Sequence, residues 1–568
     1  MAAALAAVAV LLAASGGVRA TVGGLRLSAR SPVPASLAAA ALVASWWALA
    51  RRGRAVATDL RLASATLERR ASSIVMGVAL AAAAVSAAFA TASAAGADAS
   101  GYLSEAAHWT SGRIFHHEPL AAIIGAADPW LTVPLGWRPA PVAGLQSPTY
   151  PPGLPLLMAL PHALGGAAAA TWLVTLAAAL TVWATGTLAI RLSGGAAGII
   201  AAVAIATSPI LLFQSVQPMS DVPVTALWML TWLLVHAGSG ARDPGPVRSA
   251  LAGLACALAV LVRPNLAPLA AVPLFSIGWN PRRLIAFSSP VALAGVALMW
   301  LQWQWYGSPF RSGYGTADEL FAIANFGANL SRYLGWLVAT SPFLLIAPAG
   351  MALAWRTASA RPLAAFAGLV VTAYLVYAVF DVWSYLRFLL PALAVAAAFA
   401  GVAAAALITR MPASWRLAAV AAVVLGVAAQ GVSQARTLDT FRLADQHRRV
   451  SQAAGYLSRT QPAAAVIVAG EQSGALRYYT GRSILRWDAA SPETMVAAIT
   501  SLRDANRPVV IALDAWEREP FRARFSALPA LSLEWPPAFE AGTSHRTQVW
   551  QLRDRDRFMR GEQVTTER

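Results

Sequence analysis

The sequence predicts a polytopic α-helical membrane protein, with about 11 to 13 transmembrane helices and a small C-terminal extracytoplasmic α/β domain. Three observations predict it. Hydrophobic residues make up 58% of the 568 and charged residues only 12%, more apolar surface than a soluble chain can hide in its core. Apolar runs of bilayer-spanning length recur along the first 435 positions. From position 436 onward, short β-rich runs alternate with helix-like stretches.

In chain order, the expected spans are residues 1–18, 34–50, 71–93, 167–190, 195–213, 221–238, 284–305, 335–355, 362–380, 389–409 and 417–435. A further apolar run, 250–277, is interrupted at Arg263-Pro264-Asn265. Arginine counts orient the spans, because basic loops stay cytoplasmic. The loop 51–70 is the richest, with Arg51, Arg52, Arg54, Arg61, Arg69 and Arg70, and the later basic loops fall on its side only if 250–277 returns to the side it started from. That run therefore reads as two short helices meeting at the Arg-Pro-Asn break, a discontinuous hairpin of the kind that lines cavities. Loops 94–152, 306–334 and 381–388, and the tail from 436, then lie outside the cytoplasm.

The first 50 residues fit this pattern less well, since Arg19, Arg26 and Arg30 would lie outside if 1–18 and 34–50 pair as a helical hairpin. A signal peptide fits poorly too, with no basic stretch ahead of the apolar run. The segment reads as an accessory hairpin, or the start codon lies downstream. Residues 1–70 thus form an N-terminal hairpin and basic loop, 71–435 a membrane domain, and 436–568 a soluble domain. In that last part, 464–469, 483–487, 508–513 and 547–552 read as strands, and 473–479, 492–505 and 516–527 as helices. It holds neither a Gly-rich phosphate loop nor a nucleophile elbow, which gives it an accessory role.

The net charge of +17 would point a soluble domain toward nucleic acid, but here all 43 basic residues are arginine and many form the cytoplasmic collar of a membrane protein. No nucleic-acid partner is expected. The single cysteine, Cys256, excludes an intrachain disulfide.

Charges at a membrane edge cost several kcal/mol (roughly 2.5 to 3.5 on insertion scales) unless paired or functional, so the few present are informative. Asp98 follows the 71–93 span in Asp98-Ala99-Ser100-Gly101-Tyr102-Leu103-Ser104-Glu105, and Asp221 opens a later span in Ser220-Asp221-Val222-Pro223. Arg263 sits at the hairpin break and Arg387 at the start of the 389–409 span. All four fall on one face. Individually, Asp98 reads equally well as a solvated loop acid, Asp221 as a helix cap, and either arginine as a snorkelling side chain or, for Arg387, a partner of Asp381. Together, two acids and two arginines make a site for a base and a phosphate leaving group. His108, His116, His117 and Glu118 lack a metal-ligand spacing and read as loop surface.

These patches resemble the integral-membrane glycosyltransferases of the GT-C superfamily, including protein O-mannosyltransferase-like and aminoarabinose-transferase-like enzymes. Asp98 to Ala107, Tyr150-Pro151-Pro152-Gly153-Leu154-Pro155, Ser220 to Pro223, Gly253 to Asn265 and Tyr385 to Pro391 carry the resemblance, over residues 71–435. It departs in having a lone Asp98 where many relatives pair two acids. The resemblance implies inverting transfer of a sugar from a polyprenyl-phosphate donor to an extracytoplasmic glycan, lipid or protein acceptor, at the plasma membrane. Asp98 and Asp221 would be catalytic, Asp98 as the base. Arg263, Arg387, Tyr102, Glu105 and Tyr150 would bind substrate. No cofactor is required; a divalent metal stays open as an alternative that nothing in the sequence supports. A transporter or flippase for lipid-linked or anionic solutes is the leading alternative, and an assembly partner with a decayed site is a third.

Reporter fusions test the orientation: at Gly125 and after Arg568 they are expected to be active only on the extracytoplasmic side. Cytoplasmic activity at both positions would invert the arrangement.

Overall fold

The structure, a computed structural model, describes residues 18–22, 25–29, 33–34, 37–38, 55–125, 128–236 and 245–567. The expected spans 1–18 and 34–50 lie almost wholly outside the described residues. Between them the chain forms an antiparallel hairpin of β1 (Val18–Val22) and β2 (Leu25–Ala29), strands that the helical-hairpin expectation did not include.

Most of the remaining apolar runs become helices. A basic helix α1 (Ala55–Arg69) leads into α2 (Ala71–Phe89), and α3 (Ala97–Thr110) follows within the first long connection. That connection also forms a three-stranded antiparallel sheet of β3 (His116–His117), β4 (Trp137–Pro139) and β5 (Leu145–Pro148). Helix α4 (Gly153–Ser193) is interrupted at Gly165 and Gly166, so a short proline-containing helix precedes the span. There follow α5 (Gly195–Ala206), α6 (Pro209–Ser215), α7 (Asp221–Val235) and α8 (Pro246–Val262). Among the described residues five helices are long and apolar enough to cross a bilayer, two bent pairs bring the number to seven, and three shorter apolar helices stand beside them. The protein is a multi-pass membrane protein.

The run 250–277 breaks where proline demands it. Pro264 pushes Arg263 out of the helical region (φ −144°, ψ 85°), and the chain continues as a 3₁₀ stretch, Pro264–Ala270, into α9 (Ala271–Ser276). The next helix, α10 (Pro281–Tyr306), runs alongside α8 in the same direction: Gly253 midway along α8 packs on Phe287 in the first part of α10, and Val262 and Leu298 share a cavity wall further on. Residues 264–276 therefore carry the chain back to where α8 began, as the hairpin reading requires.

Two spans differ from expectation: 195–213 bends by 58° between α5 and α6, and the second bends more sharply. Residues 335–355 are not a straight crossing: α11 (Phe326–Thr340) and the following segment Pro342–Ala354, which ends in α12 (Ala347–Ala354), meet at 113°. Ser341 precedes a proline and takes φ −147°, ψ 54°, which no helix accommodates. Helices α13 (Ala360–Leu375), α14 (Leu390–Thr409) and α15 (Ala413–Thr437) complete the bundle.

The tail begins with α16 (Leu443–Thr460) and builds a five-stranded mixed sheet of order β7-β6-β8-β10-β9. Its strands are β6 (Val466–Ala469), β7 (Ile484–Arg486), β8 (Val509–Asp514), β9 (Phe539–Ala541) and β10 (Thr547–Gln551), the first three parallel. Helices α17 (Ser473–Thr480), α18 (Pro492–Asp504) and α19 (Arg518–Arg524) connect them. Strand β6, wholly apolar, and β8, apolar up to its final Asp514, lie at the centre because helices cover both faces.

Helix α8 approaches α10 so closely that a Cβ on Gly253 would sit 2.2 Å from the Phe287 carbonyl oxygen. Gly253→Val is expected to lower stability by about 1–3 kcal/mol, because backbone cannot yield as a side chain does. Thermal unfolding in detergent measures it.

Candidate active site

Three connections, 111–152, 307–325 and 376–389, meet at one end of the bundle. The Tyr306 hydroxyl donates to the Pro148 carbonyl (2.7 Å), Arg138 donates to the Gly313 carbonyl, and the Ala322 amide donates to Val376 (2.7 Å). Beneath them lies a cavity of about 300 Å³, within the range of small-molecule sites. Asp98, Asp221, Arg263, Arg387, Tyr102 and Tyr150 all line it.

The local sequence explains each placement. Asp98 stands in the first turn of α3 and Asp221 opens α7, so both carboxylates meet the positive end of a helix dipole. Arg263 projects from the break that Pro264 enforces. Arg387 closes the 3₁₀ stretch Trp383–Leu389, with its guanidinium over the rings of Tyr385 (4.9 Å) and Phe388 (5.5 Å).

The four charges form one network. Arg263 pairs with Asp221, and Arg387 pairs with Asp98 at 2.9 Å and approaches Asp221 at 4.0 Å. The sequence had offered Asp381 as a partner for Arg387, but Asp381 pairs with Arg332 instead. Asp221 is buried to 1% side-chain exposure, whereas Asp98 keeps 30% and opens into the cavity. Arg263 Nη1, Arg387 Nε and one Asp221 oxygen are buried without a hydrogen-bond partner, spare capacity that a ligand can use.

Tyrosines frame these charges. Tyr102 donates to Ser220 (2.9 Å) and its ring leans on Tyr150 (4.7 Å), which lies against Gly101 where any Cβ would fall 2.2 Å from the ring. Burial, reinforced by the charge of Asp98, pushes ionisation of the Tyr102 and Tyr150 hydroxyls up, so both remain donors. Glu105 does not reach the cavity. It is buried about two turns further along the same face of α3, where Trp109 donates to it (3.1 Å) and burial raises its ionisation well above the carboxylate range. The structure adds Asn265, Tyr314 and Tyr374 to the cavity wall, with Asn265 donating to the Tyr374 hydroxyl (3.0 Å). Asn265 was within reach of the sequence, since it adjoins the break, whereas Tyr374 lies in an apolar helix with nothing to mark it.

The histidine-rich stretch packs under the tail. His108 lies against Trp137 (4.8 Å) and His116 approaches Glu118 at 3.9 Å, while Arg477 covers the Trp137 ring (4.6 Å). Burial, then the charge of nearby arginines, lowers His108 to about 4 and His116 to about 2, so both rings are neutral. Among the described residues no group of three or more His, Cys, Asp or Glu is placed to hold a metal ion.

The pairs differ in what they do for stability. Asp221→Asn strands a buried guanidinium and is expected to cost about 3–5 kcal/mol. Asp98→Asn breaks a partly exposed pair and should cost about 1 kcal/mol or less. Thermal unfolding of the two purified variants compares them.

No protein-family model matches the chain, and no curated protein matches it in sequence. Among solved structures it is similar to ArnT of Cupriavidus metallidurans in the apo state, with a TM-score of 0.52 at 14% identity over 84% of this chain and 96% of that one. It is similar also to the same protein bound to undecaprenyl phosphate, with a TM-score of 0.52 at 13% identity over 84% of this chain and 97% of that one. The oligosaccharyltransferase of Archaeoglobus fulgidus aligns with a TM-score of 0.47 at 12% identity, over 82% and 72% of the two chains. The chain therefore has the fold of the GT-C membrane glycosyltransferases, the superfamily its sequence resembles.

Proposed function

We propose that the protein transfers a sugar from a polyprenyl-phosphate donor to an extracytoplasmic acceptor, with inversion at the anomeric carbon. The observation that carries this reading is the pairing of two arginines with two carboxylates in one cavity, each arginine retaining an unpartnered N–H. ArnT, which shares the fold, has been crystallised with undecaprenyl phosphate.

The chemistry follows from the charges. A phosphate leaving group departs without a proton, so no general acid is needed, while the acceptor hydroxyl must lose one. In the proposed step the acceptor oxygen attacks the anomeric carbon and the carbon–oxygen bond to phosphate breaks. The electron pair stays on the phosphate, and the hydroxyl proton passes to Asp98. Arg263 and Arg387 bind the phosphate and take up its growing charge, a task suited to a planar guanidinium. As Arg387 turns to the phosphate it loosens its hold on Asp98, so donor binding strengthens the base. Asp221, buried and already bonded, acts by fixing Arg263.

An apolar groove of about 560 Å³ supports a prenyl chain. It runs along α11, α13 and α14, and its lining includes Tyr333, Leu375 and Leu389, neighbours of the cavity residues Tyr374 and Phe388. An isoprenoid tail lying there would leave its phosphate at the arginines.

Two kinds of variant test the reading. Asp98→Asn is expected to lower turnover by about 100-fold or more while undecaprenyl-phosphate binding persists. Arg263→Ala and Arg387→Ala should weaken that binding, and Lys at either position should restore it only in part. Near-wild-type turnover in Asp98→Asn, or unchanged binding in both arginine variants, would overturn the assignment.

A further inference from the structure

The tail domain carries a second cavity, of about 310 Å³, beside the first turn of the helix that bears Asp98. Its origin is topological. The chain leaving β6 passes through α17 toward β7 at one edge, whereas the chain leaving β8 passes through α19 toward β9 at the other. The helices accordingly split between the faces. Leu457 of α16 and Leu476 of α17 pack with Ile467 and Val510, while Met495 and Leu502 of α18 pack with Val468 and Ile511. Neighbouring parallel strands whose connections diverge in this way leave a crevice at their carboxyl ends, the place where open α/β sheets bind ligands.

The floor of the crevice is rigid and satisfied. Asp514, buried at the end of β8, accepts hydrogen bonds from Arg449 (2.8 Å), Gln472 (2.9 Å) and Thr547 (2.6 Å). The rim is not satisfied. Among the described residues the Glu471 carboxylate has no hydrogen-bond or ion-pair partner, and the Trp516 indole is 61% exposed with no ring against it. The crevice also faces the transfer cavity: Gln472 Oε1 accepts the Gly96 amide (3.1 Å), two residues before Asp98, and Glu471 lies within electrostatic range of Asp98 and Tyr385.

We propose that this crevice is the acceptor subsite, built to hold a saccharide, an inference that rests on the transferase reading above. A sugar ring presents one face of C–H groups, which an open indole covers, and an edge of hydroxyls, which a free carboxylate accepts. Bound at the rim, with its next residue reaching past Gly96, the saccharide would bring a hydroxyl to Asp98. The exposed indole and carboxylate are what a saccharide uses, whereas an extended peptide would call on a free strand edge. Here β6 and β8 are flanked on both sides.

The experiment uses the full-length protein in nanodiscs, probed with immobilised hexose, hexosamine and uronic-acid oligosaccharides alongside Ser- and Thr-containing peptides. The wild type is expected to capture a subset of the saccharides. Trp516→Ala and Glu471→Gln are expected to weaken that capture by tenfold or more, with undecaprenyl-phosphate binding unchanged. No saccharide capture, capture of the peptides instead, or capture by both variants as strong as the wild type's overturns the proposal. Saccharide capture that depends on Trp516 in a protein unable to bind undecaprenyl phosphate supports the crevice and removes the transferase reading.

Discussion

The ion pair between Arg263 and Asp221 is the constraint around which the rest of the site is arranged. Neither charge survives alone at this depth, because an unpaired buried ion costs several kcal/mol, so each dictates the placement of the other. The break at Pro264 exists where it frees Arg263 to meet the first residue of α7, and the return segment 264–276 is the geometric consequence of that break. Arg387 and Asp98 extend the pair into a network that is balanced when empty. In the proposed reaction a phosphate would upset that balance by competing for the arginines, and this competition would link donor binding to activation of the base.

The tail domain is tied to that network by many contacts. Its helix α17 and the loop before it receive the Gly96, Leu135 and Ala94 amides on Gln472, Ser473 and Tyr479, at 3.1, 3.0 and 2.8 Å. Ser483 reaches Glu118 at 2.8 Å and Arg477 bonds Gln146. The long first connection, α3 included, is thus bonded to the tail domain at several points. The accessory role read from the sequence understates a domain that fixes the position of Asp98.

Much of this was legible in the sequence because its signals were local. Hydropathy marked the spans, the Arg-Pro-Asn break marked the hairpin, and alternation marked β6, β7, β8 and β10. The acids and arginines stood out because charge is scarce in such a chain, and the structure brings Asp98, Asp221, Arg263 and Arg387 together. What escaped depended on distant partners. The fate of Glu105 is set by Trp109 and by the packing that buries it beyond the cavity, and Asp381 lost Arg387 to Asp98 across 289 positions of chain. The bend at Ser341 was signalled by Pro342, but a hydropathy window averages over one proline. Strand β9 is three residues long and pairs only through β10, too short for any periodicity.

The clamp between Gly96 and Gln472 also has a temporal meaning. These partners are 376 positions apart, so the helix carrying Asp98 leaves the ribosome long before the segment that holds it. During synthesis the membrane bundle can assemble its arginines while α3 still lacks its restraint. Gln472 is made after every residue that lines the cavity, so α3 gains this restraint only once the cavity wall has already been synthesised.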